Sequence, residues 1–228
     1  MSPASEARVA PQPERSTGGR ARKDGAGSSV AVLVGSVAFG IAFVFVVVGR
    51  SELFTENFLV PIAGLEGKNR QSWLKLGELW LAALVLNIAG GALLAIIVTS
   101  KGVLTGNSHR PVVDLAEHLA GYGVLTAFLS AIVAGALMTL MTWFVEGAAE
   151  SMGVRILMSW IVGTLIVLGT FNHAIVSTIE IVFGMRYGAG VSVGDLFVNL
   201  GLAVGGNLVG GLLLVTFART AQAFAASS

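Results

Sequence analysis

The chain has 228 residues, of which 54% are hydrophobic and 12% charged, with a formal net charge of +1 and no cysteine. A soluble domain carries about a quarter charged residues; with half that and a mean hydropathy of +0.82, this chain needs a bilayer as its solvent. The small net charge gives no basic field for nucleic acid, and the lack of cysteine removes disulfides, thiolate metal sites and cysteine nucleophiles.

Residues 1–29 are rich in Ser, Gly, Pro and Arg and read as a disordered polar arm. A transmembrane channel domain is expected over residues 30–218, with a short tail at 219–228. The first apolar block runs from Val30 to Gly49, long enough to span and too long for the core of a signal peptide. It breaks into Gly49-Arg50-Ser51-Glu52-Leu53-Phe54-Thr55-Glu56-Asn57 and resumes at Phe58–Ile62. A polar loop and a second block, Leu76–Val98, follow. The polar stretch Thr99–Gly121 has room for a short amphipathic helix. The third block is Val124–Val145. The fourth, from about Ile156 to Met185, is too long for one untilted span and carries Gly169-Thr170-Phe171-Asn172-His173 in its middle. The last block is Leu196–Phe217. The chain thus reads as an all-α polytopic membrane protein with about five membrane segments, because open strands cannot satisfy their backbone in lipid.

Two landmarks repeat at a separation of 120 residues. Asn87-Ile88-Ala89-Gly90-Gly91 resembles Asn207-Leu208-Val209-Gly210-Gly211, and Gly49 falls on Gly169. The halves are placed at about 30–98 and 124–218. Interrupted helices in corresponding halves point to a solute path near the midplane. Amides and carbonyls freed at a break are tolerated only where protein or a watery cavity satisfies them, and freed N–H groups at a helix start attract anions.

These residues resemble the formate/nitrite transporter family over about 30–218. The first break carries Ser51-Glu52-Leu53-Phe54-Thr55 after Gly49 and Arg50. The second carries Gly169-Thr170-Phe171-Asn172-His173, with one extra residue between Gly and Phe. The last helix carries Gly206-Asn207-Leu208-Val209-Gly210-Gly211. The resemblance implies an aquaporin-like inverted repeat with two broken helices, a homopentamer with a pore in each protomer, and no cofactor. It implies passage of small monovalent anions of the formate, nitrite and hydrosulfide class, channel-like or linked to a proton, across a bacterial cytoplasmic membrane. His173 corresponds to the central pore histidine, with Thr55 facing it and Asn207 as the pore asparagine; Asn172 belongs to the same motif. Phe39, Phe43, Phe54 and Ile166 fall near the hydrophobic constrictions. Two departures stand out. The polar arm occupies the place of the family's first transmembrane helix, and the family's outer lysine has no counterpart around Tyr122 and Gly123.

Each candidate also has a plainer reading. His173, an ionisable residue deep in an apolar segment, is either a hydrogen-bond donor or proton relay or a tie between helices. Arg50, Glu52 and Glu56 form a pore-mouth element or, preferably, a mutual ion pair. Thr55 lines the pore or caps a half-helix. Ser177 and Glu180 share a helical face with His173 as a possible vestibule, or Glu180 reaches the interface. Asn87 reads as glue between helices; Asn207 reads equally as glue or pore. His109, His118, Asp114 and Glu117 are spaced too loosely for a metal site. No Ser-His-acid set or other catalytic group can be assembled. The alternatives are a neutral-solute pore of aquaporin type and a truncated, non-transporting membrane protein. Against the first, none of the five prolines follows an asparagine.

Overall fold

The computed structural model describes residues 17–63, 69–104 and 109–227. Two compact units divide the chain, residues 1–35 and 36–228; the packing below is that of the second. Helix α1 runs Thr17–Val48. The arm expected to be disordered is therefore helical from Thr17 onward, because extending a helix nucleated in the apolar block costs far less than starting one. Residues 1–16 lie outside the described residues.

After α1 come a 3₁₀ turn at Phe54–Glu56 and a short α2, Val60–Ala63. Helix α3, Arg70–Val98, is capped by Asn69, whose side chain accepts from Ser72 N at 2.9 Å. The amphipathic α4, His109–Ala120, buries Ala116 and Leu119. Helix α5 is Val124–Gly147 and α6 is Met152–Leu168; after the second break α7 is Val176–Arg186. Helix α8, Val193–Leu208, opens on a reciprocal Ser192–Asp195 capping box. It continues as a π-helical stretch, Val209–Phe217, into α9, Ala218–Ser227. Four stretches are long and apolar enough to cross a membrane: Ser29–Val48, Arg70–Val98, Val124–Gly147 and Val193–Phe217. The fourth apolar block of the sequence is shared between α6 and α7, on either side of its polar insert. Leu81, Leu86, Leu125, Phe197 and Leu213 cover the outside, as lipid or a neighbouring apolar surface requires.

Close packing rests on small residues, as in other membrane helices. Helix α5 meets α8 along Ala127, Ala131 and Gly135. A Cβ on Gly135 would strike the Asn207 backbone, one on Gly206 would strike Ala131 and Phe128 O, and one on Gly210 would strike Ile132 O. Helices α1 and α6 cross where Gly40 faces Trp160 and Gly163 faces Phe43, and Trp160 Nε1 donates to Val37 O at 2.7 Å.

The two breaks are built alike, atom for atom. In the first, Arg50 N donates to Val47 O and Ser51 N to Val46 O; in the second, Thr170 N donates to Val167 O and Phe171 N to Ile166 O. This is the Schellman pattern of a helix end. It demands a left-handed residue, and Arg50 (φ 51°) and Thr170 (φ 49°) are the non-glycine residues with positive φ among those described. Each break is then gripped by an asparagine from a later helix of its own half. Asn87 Oδ1 accepts from Phe54 N at 2.9 Å and its Nδ2 donates to Glu52 O at 3.0 Å. Asn207 Oδ1 accepts from Ala174 N at 2.8 Å and its Nδ2 donates to Asn172 O at 3.1 Å. Every partner in one half lies 120 residues from its counterpart in the other. Asn87, expected as glue between helices, is in fact the clamp of the first break.

Candidate functional site

The breaks meet at one hydrogen bond. Thr55 and His173, both fully buried, lie 2.8 Å apart between Oγ1 and Nε2. The other ring nitrogen of His173 settles the direction. Nδ1 faces the backbone N–H of Val176 at 3.1 Å and of Ile175 at 3.3 Å. Both are donors, so Nδ1 accepts and the ring proton sits on Nε2. His173 therefore donates to Thr55. The hydroxyl hydrogen of Thr55 is left with no acceptor among the described residues.

His173 holds this position because its own backbone is held. His173 N donates to Ser177 Oγ at 3.0 Å, and Ser177 N donates to His173 O at 2.9 Å. The imidazole and Ser177 together satisfy the start of α7, whose first N–H groups would otherwise be orphaned at mid-depth. Apolar rings close around the pair. Phe43 meets His173 edge-on at 6.3 Å between centroids and Phe39 at 6.0 Å. Phe43, Phe54 and Ile166 are buried, while Phe39 packs on this cluster half-buried. Phe54 stacks edge-on against Phe58, and Phe58 against Trp80.

The two asparagines expected at the pore, Asn172 and Asn207, differ in their freedom. Asn207 is fully buried, and besides its grip on the break it donates to Ala131 O at 2.8 Å; its amide is spent on backbone. Asn172 is equally buried. Its backbone N–H donates to Ser130 Oγ at 3.0 Å, its Nδ2 makes a long bond of 3.4 Å to Ala127 O, and its Oδ1 has no partner among the described residues.

Two cavities approach the site. One of about 520 Å³ is lined by Val47, Asn57 and Thr142 and by five charged residues, Arg50, Glu52, Glu56, Glu146 and Arg155. The ion pair expected among Arg50, Glu52 and Glu56 is not formed; among the described residues the ion pair present is Arg110–Asp114, at 4.0 Å. The charges of the break line one open cavity instead, with Arg50 and Glu52 exposed and Glu56 half-buried. The second cavity, about 10 Å³, lies between Leu119, Ile166, Thr170, Phe171, Val176 and Glu180. Ser177, expected beside Glu180 in a vestibule, instead faces His173. On this side Tyr122 donates its hydroxyl to Thr170 O at 3.0 Å and lies 3.2 Å from His118 Nε2. His109 stacks on Tyr187, and Glu117 accepts from Gly190 N. Among the described residues no group of histidines and carboxylates could hold a metal.

Sequence reading missed four of these parts. Ser130 was visible as a lone polar residue in the third apolar block. Trp80, which donates to Asn57 O at 2.9 Å, and Tyr122 were visible as polar-tipped aromatics near block ends. Arg155 carried no signal that it would share a cavity with the first break.

Comparison with known proteins bears on family and fold. The model of the family described as formate/nitrite transporter matches residues 16–221. Inner membrane protein YfdC of Escherichia coli (strain K12) is 26% identical over 193 residues, 83% of this chain and 61% of that protein. Formate channel FocA of the same strain is 26% identical over 159 residues, 68% of this chain and 55% of that protein. The chain thus spans 55% to 61% of the length of these curated relatives. Among solved structures, a pentameric formate channel with formate bound superposes with a TM-score of 0.72 at 22% identity, covering 86% of this chain and 84% of that one. A second, described as an FNT family ion channel, gives 0.72 at 20% identity, covering 85% and 78%. These two likenesses establish the fold.

Proposed function

Since the chain belongs to the formate/nitrite transporter family, we propose that it passes small monovalent anions of the formate class through a pore gated by Thr55 and His173. The observation that carries this reading is the direction of their hydrogen bond. With His173 donating to Thr55, the threonine hydroxyl keeps a hydrogen with no acceptor among the described residues. That hydrogen is a donor for a carboxylate or similar oxyanion arriving at the gate. The surrounding Phe43, Phe54 and Ile166 reject a bare ion, because stripping its water without replacement costs several kcal/mol. The large cavity at one entrance sets Arg50 and Arg155 among Glu52, Glu56 and Glu146, so the arginines act there as local contacts for an anion rather than as a positive field. Nitrite and hydrosulfide share formate's charge and small size and belong to the same proposed class. The channel domain is placed at residues 30–218, its halves at about 30–98 and 124–218, in a homopentamer of a bacterial cytoplasmic membrane.

The test is uptake of formate, nitrite and hydrosulfide into proteoliposomes containing the chain. Uptake by the wild type that is lost in Thr55→Val and changed in selectivity in His173→Gln is the expected result. Uptake unaffected by both substitutions would overturn the gate. Osmotic swelling without anion dependence would favour a neutral-solute pore instead.

A further inference from the structure

His173 has no capacity to spare: Nδ1 is engaged by two backbone amides and Nε2–H by Thr55. If the pore moves acid rather than bare anion, the proton must reside elsewhere. Glu180 lies seven residues further along the same segment, roughly 10 Å at 1.5 Å per residue. That is inside a hydrocarbon half-thickness of roughly 15 Å. It has no hydrogen-bond or ion-pair partner among the described residues, and ionisable side chains at this depth are costly and functional by default. Its cavity touches Ile166 of the constriction and Thr170 and Phe171 of the second break. The cavity's volume, about 10 Å³, fits a single water.

The charged groups on the surrounding elements are committed elsewhere. On α4, Asp114 pairs with Arg110, Glu117 accepts from Gly190, His109 stacks on Tyr187 and His118 meets Tyr122. On α8, Asp195 is held by Ser192, and on α7 itself Arg186 donates to Thr99. Arg155 of α6 lines the other cavity. Arg70, Lys75 and Glu78 sit in the first turns of α3, far from Gly91, where that helix meets Ile179 of α7. Glu56 differs from Glu180 because it opens on the large cavity beside Arg50, Glu52, Glu146 and Arg155.

We infer that Glu180 is the proton-binding residue of the pore, converting a formate-class anion to its neutral acid before the constriction. The inference rests on the transport reading above. Glu180 takes one proton from hydronium of the external aqueous phase, which leaves as water, and becomes a carboxylic acid. It passes that proton, directly or through one water, to the anion; Glu180 is left a carboxylate and formate becomes formic acid. The neutral acid then crosses Phe43, Phe54 and Ile166 without carrying charge through them.

The test uses proteoliposomes in which valinomycin and a potassium gradient set the membrane potential. Wild-type formate uptake is expected to be insensitive to the sign of the potential and to rise as external pH falls. In Glu180→Gln, which keeps shape and removes the proton site, uptake falls roughly a hundredfold, the size of a lost general-acid step, or becomes driven by the potential. Glu180→Asp restores voltage-insensitive uptake. Wild-type rate and voltage insensitivity in Glu180→Gln overturn the inference, as does a loss that Glu180→Asp does not restore. A wild type that takes up formate in proportion to the potential also overturns it while leaving the anion-pore reading intact. A wild type that takes up none defeats that reading itself.

Discussion

Replacing Asn207 with alanine tests whether the clamps carry the weight assigned to them. The substitution removes bonds to Ala174 N, Asn172 O and Ala131 O. Ala131 O keeps its place in the ladder of α5, so two groups, Ala174 N–H and Asn172 C=O, are left buried without a partner. Each such group costs about 1–3 kcal/mol, which puts the loss at roughly 2–6 kcal/mol. Polar pairs inside membrane proteins average nearer 0.6 kcal/mol, which sets a floor of about 1 kcal/mol. Asn87 makes the matching pair of bonds in the first half, but it is half-buried and its partner Glu52 lines the large cavity. Water can replace that clamp, so Asn87→Ala should cost only about 0.5–1.5 kcal/mol. Thermal unfolding of both variants in one detergent, read by loss of the monodisperse peak on size exclusion, gives the comparison. An Asn87→Ala midpoint as low as that of Asn207→Ala would refute the reasoning, since burial would then not decide the worth of the clamp.

Other consequences follow from packing and from the second break. Gly135→Ala sets a Cβ against Asn207 Cα at 2.5 Å; overpacking of this kind costs about 1–3 kcal/mol or more, and the variant should aggregate on extraction. Gly201→Ala, with nothing within 4 Å of the new carbon, should elute as the wild type does. Tyr122→Phe loses the bond to Thr170 O, worth about 0.5–1.5 kcal/mol. Burial pushes the Tyr122 phenol above its ordinary pKa of 10.0, so the unfolded chain releases that proton first and wild-type stability falls as pH rises past 10.0. The phenylalanine variant should lack this share of the alkaline loss, measured as the slope of the unfolding midpoint between neutral and alkaline pH.

The spans and the breaks were legible because apolar length and polar inserts are local signals. The repeat was legible in outline from Gly49 with Gly169 and from Asn87 with Asn207. Its working parts were less so. The glycines marked where each helix gives way to its polar insert, but not the left-handed residue that ends it, which is the next one, Arg50 or Thr170. Glycine is needed at 169 for another reason: a Cβ there would strike the Phe171 ring. Asn87 passed for glue because its partners lie 33 and 35 residues away in sequence, beyond any periodicity. Nearness in sequence misled in the opposite direction at Arg50, Glu52 and Glu56, which line one open cavity instead of pairing. From Thr17 onward the arm continues the helix of the first apolar block, for a cooperative reason: composition judges residues singly, whereas a helix once nucleated extends at little cost. Within the site, Thr55 and His173 were found from motif alone; the tautomer that gives their bond its direction depends on two amides that only the fold places at Nδ1.

Because Asn87 grips only its own break and Asn207 only its own, each break is clamped from within its own half. Neither half holds the proposed gate alone: Thr55 comes from the first and His173 from the second, so their hydrogen bond lies on the seam between the halves. A library of variants should divide along that line. Damage to a clamp lowers stability wherever it falls. Thr55→Ser keeps a hydroxyl on the seam and leaves the contacts of His173 with Val176 N and Ile175 N in place, and it is the economical way to ask what that bond does for the proposed pore.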